Sequence, residues 1–90
     1  MTSYDFEVMA KNAVISVAAD KHGEIFTIDQ ISVVWFVHLL GYKKAILIDS
    51  GRNNRIYEVT YSREKNEMYV DEYEKLSNTV FREFDATAHV

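Results

Sequence analysis

Three short polar breaks constrain this chain more than any other feature. Gly41-Tyr42, Ser50 to Asn54 and Ser62 to Asn66 separate four runs that read as strands, at 31–40, 43–49, 55–61 and 67–70. Connections this short join antiparallel neighbours, because parallel strands need crossovers of about a dozen residues or more. The third run alternates cleanly, with Tyr57, Val59 and Tyr61 on one side and Ile56, Glu58 and Thr60 on the other, the pattern of one buried face. The first run does not. Ile31, Val33, Trp35, Val37 and Leu39 share one face, Ser32, Val34, Phe36, His38 and Leu40 share the other, and both are largely apolar.

A helix is expected on each side of this meander in sequence. Thr2 or Ser3 caps the first, over 4–19, where Phe6, Met9, Ala10, Ala13 and Val17 make one stripe with Val14 at its edge. Val8 and Ile15, with Tyr4 nearby, lie opposite. They read either as scattered exposed hydrophobes or as a second contact surface. Gly23 suits the left-handed conformation just past the helix end. The second helix is expected over 72–84, started by Asp71 and Glu74 at capping-box-like spacing and carrying Tyr73, Leu76, Val80 and Phe84 on one face.

The expected fold is therefore a single α+β domain over 1–90: helix, four-stranded antiparallel meander, helix, with both helices packed on one sheet face. Assigning the Ile31 face of the first strand to the core places Trp35 between sheet and helices. It leaves Val34, Phe36, Leu40, Ile46 and Ile48 as an apolar patch on the outer side, larger than a typical monomer exposes. Self-association into a homodimer is the expected cover. The chain's 90 residues place it near the size at which one small core is marginal.

Composition excludes more than it selects. Cysteine is absent, which removes disulfides, zinc-thiolate sites and thiol nucleophiles. A net charge of −4 argues against a general nucleic-acid binder, though not against a local basic patch. The longest apolar run, Val33 to Leu40, is interrupted by His38 and too short to span a bilayer, and the N-terminus is acidic where a signal peptide starts basic. A cytoplasmic location, with no membrane contact, is the expectation.

Four blocks carry a family resemblance: Val33-Val34-Trp35; Lys44-Ala45-Ile46-Leu47; Tyr57-Glu58-Val59-Thr60-Tyr61; and Glu67-Met68-Tyr69-Val70-Asp71 with Tyr73 and Lys75. The chain resembles a family of small uncharacterised proteins encoded by phages, prophages and mobile elements of Gram-positive bacteria. The resemblance covers roughly the last two thirds of the chain; the first helix matches only in its helical character. It implies a phage or prophage accessory protein in the bacterial cytoplasm, and it carries no activity or catalytic residues.

No constellation names a reaction. His22, His38 and His89 have no metal-ligand spacing. Ser62 to Lys65 formally matches S-x-x-K but lacks the companion motifs of that chemistry, and Ser50 to Asn54 lacks the lysine of a phosphate loop. Glu58 and Glu67 read as solvent-face carboxylates rather than an acid–base pair. The expectation is a non-enzymatic protein without cofactor or metal, acting by protein–protein interaction with itself and with a host or phage protein. The candidate contacts are the Val34, Phe36, Leu40, Ile46, Ile48 patch and the acidic Asp71, Glu72 and Glu74. The alternative is a nucleic-acid accessory protein that binds single strands through Lys43, Lys44, Arg63 and Lys65, with Tyr42 and Tyr61 stacking.

Overall fold

Helix α1 (Ser3–His22) opens the fold and is held at both ends by its own backbone chemistry. The computed structural model describes residues 1–51 and 55–83. Thr2 caps the helix: its Oγ1 accepts the Asp5 N–H at 3.0 Å, and Asp5 Oδ2 accepts the Thr2 N–H at 3.0 Å, so two otherwise orphaned donors are satisfied. At the other end Gly23 takes φ +66°, a conformation a side chain would strain. Its N–H donates to Ala19 O and the Glu24 N–H donates to Ala18 O.

After a 3-10 turn at Ile28–Gln30 come β1 (Ile31–Leu39), β2 (Tyr42–Asp49), β3 (Arg55–Ser62) and β4 (Glu67–Glu74). They form one antiparallel sheet in the order β1-β2-β3-β4, the meander that the short breaks require. Gly41, at φ +75°, makes the reversal between β1 and β2. Its carbonyl accepts the Arg63 N–H at 2.9 Å, which ties that turn to the one after β3.

The core lies between α1 and one sheet face. Phe6, Ala10, Val14 and Ala18, spaced one turn apart, are fully buried on the helix; Ile31, Ala45, Leu47, Tyr57 and Val59 are buried on the sheet. Small residues at Ala10 and Ala45 let the helix approach closely. Val14 thus stands in the middle of the buried stripe rather than at its edge, Met9 is turned toward solvent, and Ile15 packs against the core.

Two expectations fail here, each for an identifiable reason. Between Val33 and Trp35 the β1–β2 register shifts, so that Val33 faces Leu47, Trp35 faces Ile46 and Phe36 faces Ala45. One extra residue, Val34, reverses the inside–outside phase of everything after it. Phe36 therefore turns to the helix side, its ring centroid 5.6 Å from that of Phe6, while Trp35 turns to the opposite face and is 46% exposed. The two residues exchange faces, but Phe36, at 39% exposed, covers the edge of the core rather than filling it.

The second failure is at the C-terminal end. The capping-like signal at Asp71 loses to strand pairing: the first residues of β3 need partners, and Glu72, Tyr73 and Glu74 supply them opposite Tyr57, Ile56 and Arg55. β4 so runs to Glu74, and residues 75–83 have no regular structure. The helix expected over 72–84 is not formed among the described residues, and Phe84 lies outside them. Among the described residues one helix, not two, covers the sheet.

A candidate interaction face

Because side chains alternate along each strand, the face of the sheet away from α1 is built from alternate residues. Trp35, Val37 and Leu39 come from β1, and Tyr42, Lys44, Ile46 and Ile48 from β2. Ile56, Glu58 and Thr60 come from β3, and Glu67, Tyr69, Asp71 and Tyr73 from β4. Trp35, Leu39, Tyr42, Ile48, Ile56, Tyr69 and Tyr73 are all substantially exposed. At the centre, Lys44 Nζ stands 3.5 Å from Glu58 Oε1. Isolated exposed hydrophobes are ordinary, but a contiguous aromatic and aliphatic surface of this kind is not.

The structure separates the residues expected to form this patch. Ile46 and Ile48 lie on the open face. Val34 sits at the bulge and Leu40 in the turn, both exposed, while Phe36 belongs to the helix side. Of the acidic contacts, Asp71 is on the open face, whereas Glu72 and Glu74 alternate to the helix side of β4. Trp35, Val37, Leu39, Tyr69 and Tyr73 are members that the sequence did not assign to this face, and Ile56 reads as outward-facing but outside the expected patch. The alternation of Ile56 with Tyr57 carried the signal, but for Trp35 the bulge hid it.

The basic residues divide as well. Lys43 is buried on the helix side, its Nζ donating to the Met1 carbonyl at 2.8 Å, and Lys44 faces the other way. Arg63 and Lys65 are exposed in the turn after β3. His38, Lys43 and Tyr61 stand in one cross-strand row, and with Met1, Gly41, Tyr42 and Arg63 they line a cleft of about 370 Å³.

A third polar group ties the C-terminal end of α1 to the sheet. His22 Nε2 and Glu72 Oε1 are 2.7 Å apart, and the Arg55 guanidinium bonds the Glu24 carboxylate. Burial opposes ionisation of Glu72, but the His22 hydrogen bond and charge outweigh it and hold the carboxyl below its usual range. Nearby, burial pushes the Tyr57 phenol up to about 12, with Arg55 pulling the other way. The Tyr57 hydroxyl lies close to Glu72 but makes no well-formed hydrogen bond among the described residues.

This cluster reads as structural, and it gives a test. The folded phenol keeps its proton where the unfolded one, near 10.0, has lost it. Stability is fully present below pH ~10 and falls as pH rises through about 12, by on the order of 3 kcal/mol. Tyr57→Phe should remove that alkaline slope in denaturant melts and stay within about 1 kcal/mol of the parent at neutral pH.

Among the described residues no group of three or more metal-ligating side chains converges, and no helix is long and apolar enough to cross a membrane. A model of a family of unknown function (DUF6275) matches residues 7–83. The chain belongs to that family. The DUF6275 match takes in most of α1 as well as the whole sheet and residues 75–83, so the helix is part of the family's unit. Comparison with curated proteins and with solved structures gives no match.

Proposed function

We propose that this DUF6275 protein is a non-enzymatic interaction module whose open sheet face is its working surface, and that its first partner is a second copy of itself. The resemblance of its sequence blocks to phage and prophage proteins supports a role as an accessory protein in the bacterial cytoplasm, docking there on a host or phage protein.

The observation that carries the reading is a pairing within one chain. Immediately after β4, residues 75–83 hold Leu76, Val80 and Phe81 in solvent, 95%, 64% and 80% exposed. Leu76 and Val80 have helical spacing, but a helix this short is marginal in water without a surface to pack on. Charge fits too. Glu58, Glu67 and Asp71 outnumber Lys44 on the face, while the segment carries Lys75 and Arg82 against the single acid Glu83.

Area points to the exchange of segments between copies. A face of four strands, at about 4.8 Å per strand and 3.3 Å per residue, covers roughly 500 Å². A standard interface takes about 800 Å² from each partner, and laying the segment of one copy on the face of the other supplies the difference. A twofold arrangement closes this reciprocally.

Light scattering at tens of micromolar tests it, with a mass of twice 10.5 kDa expected. Ile56→Asp on the face and Val80→Asp on the segment should each weaken association about 100-fold. Both positions are solvent-facing in the single chain, so the fold should survive the changes. A mass of 10.5 kDa for the unaltered protein would overturn self-association. Loss with Ile56→Asp but not Val80→Asp would keep the face and remove the segment. A nucleic-acid accessory role is the second reading, resting on the cleft that Lys43 and Arg63 line.

A further inference from the structure

The cleft at the turn end of the sheet differs from the rest of this acidic molecule. Its lining is Met1, His38, Gly41, Tyr42, Lys43, Tyr61 and Arg63: three basic side chains, two tyrosines and no carboxylate, in a chain of net charge −4. Register explains how they meet. Lys43 on β2 pairs with His38 on β1 and with Tyr61 on β3, so the three side chains rise side by side on the helix side of the sheet, with Cβ atoms about 5 Å apart. The hydrogen bond from the Arg63 N–H to Gly41 O fixes the turn that brings the guanidinium to the rim.

None of the ion pairs among the described residues involves His38, Lys43 or Arg63. Asp5 is the acid whose carboxyl feels Lys43, and its oxygen is engaged by the Thr2 N–H in the helix cap. Lys43 is nine-tenths buried, and of its three N–H donors one goes to the Met1 carbonyl. Tyr61 is held in place, its hydroxyl donating to Asn66 Oδ1 at 3.1 Å.

We propose that this cleft binds a phosphate monoester carried by a nucleoside, such as a nucleotide or the 5′ end of a single strand, with Lys43, His38 and Arg63 around the phosphate and the Tyr61 ring against the base. Two features select this ligand class. A dianion matches the two cations Lys43 and Arg63 better than a carboxylate does, and arginine presents a fork of donors that fits phosphate. The volume of about 370 Å³ is that of a small-molecule site rather than of a bare anion, and tyrosine rings stack on any base. A long strand is not the ligand, because Lys44 stands on the other face in a pair with Glu58 and, among the described residues, the strands carry no continuous basic track from the cleft.

Calorimetric titration with thymidine 5′-monophosphate, thymidine and inorganic phosphate tests the site, and 5′-phosphorylated against 5′-hydroxyl oligothymidylate separates the two sources of the ester. The monophosphate should bind at least about 10-fold more tightly than either thymidine or phosphate alone. Arg63→Gln, in an exposed turn, should weaken it by about 10-fold while leaving the melting temperature in place. Lys44→Met should leave the affinity unchanged. If the phosphorylated oligomer binds as the mononucleotide does, the ligand is a strand end; if only the mononucleotide binds, it is a free nucleotide, and the site stands in either case. No binding at millimolar nucleotide, equal binding of thymidine, or indifference to Arg63→Gln would overturn it. None of these results depends on the open face, since Ile56→Asp leaves the cleft intact.

Discussion

Phe6→Ala is expected to cost about 3–5 kcal/mol in denaturant melts, and Trp35→Ala about 1 kcal/mol, although tryptophan is the larger side chain. Phe6 is fully buried, touches the ring of Phe36 and anchors the helix stripe that ends at Ala18. Removing it leaves a cavity whose walls, the α1 backbone and the sheet beneath, cannot collapse far. Trp35 stands on the open face, nearly half exposed, so its removal leaves no enclosed void. The measurement belongs at a concentration where the mass is that of one chain, so that association does not enter. A larger loss for Trp35→Ala than for Phe6→Ala would show that the phase change at Val34 is absent in solution.

The second large effect is expected at Arg55. Its guanidinium, with a side chain 9% exposed, bonds the Glu24 carboxylate and lies in the field of Glu72. Arg55→Ala should cost about 2–4 kcal/mol, because it strands carboxylates that the cation now offsets. The lower part of that range applies because Glu24 is about a third exposed and water can take it back. Glu24→Gln in the Arg55→Ala background should recover part of the loss, and a double-mutant cycle gives the coupling. Full additivity of the two changes would mean that the pair contributes nothing of its own.

These residues also show how far the sequence could be read. The order of strands was legible, because three short polar breaks leave only one way to join four runs. The first helix was legible because Thr2 and Gly23 mark its ends. The phase of β1 was not. A strand apolar on both sides carries no alternation to reveal where an extra residue sits, so Phe36 and Trp35 exchanged places. The C-terminal helix misled for a different reason. Asp71 and Glu74 form a sound local start signal, but the backbone of β3 offered Glu72 to Glu74 hydrogen bonds that a solvent-exposed helix end could not match. Of the open face, Ile46, Ile48 and Asp71 could be named in advance. The basic cleft could be named only in part, since it is a product of pairing: His38 and Lys43 face each other across one hairpin, and Tyr61, distant in sequence, joins them only through the β2–β3 register.

Among the described residues the outer strands of the meander pair on one side only, and these edges set which kinds of crowding the protein tolerates. β1 is an outer strand with an irregular rung near its middle, where the spacing of its backbone groups no longer matches a straight neighbour. β4 is the other outer strand, and carboxylates at Glu67, Asp71, Glu72 and Glu74 occur on both of its sides. A second copy arriving rung-to-rung meets a mismatched ladder at one border and like charge at the other. The sheet is thereby guarded against growing sideways into a fibre, and its apolar surface can stay uncovered without becoming a seed for one.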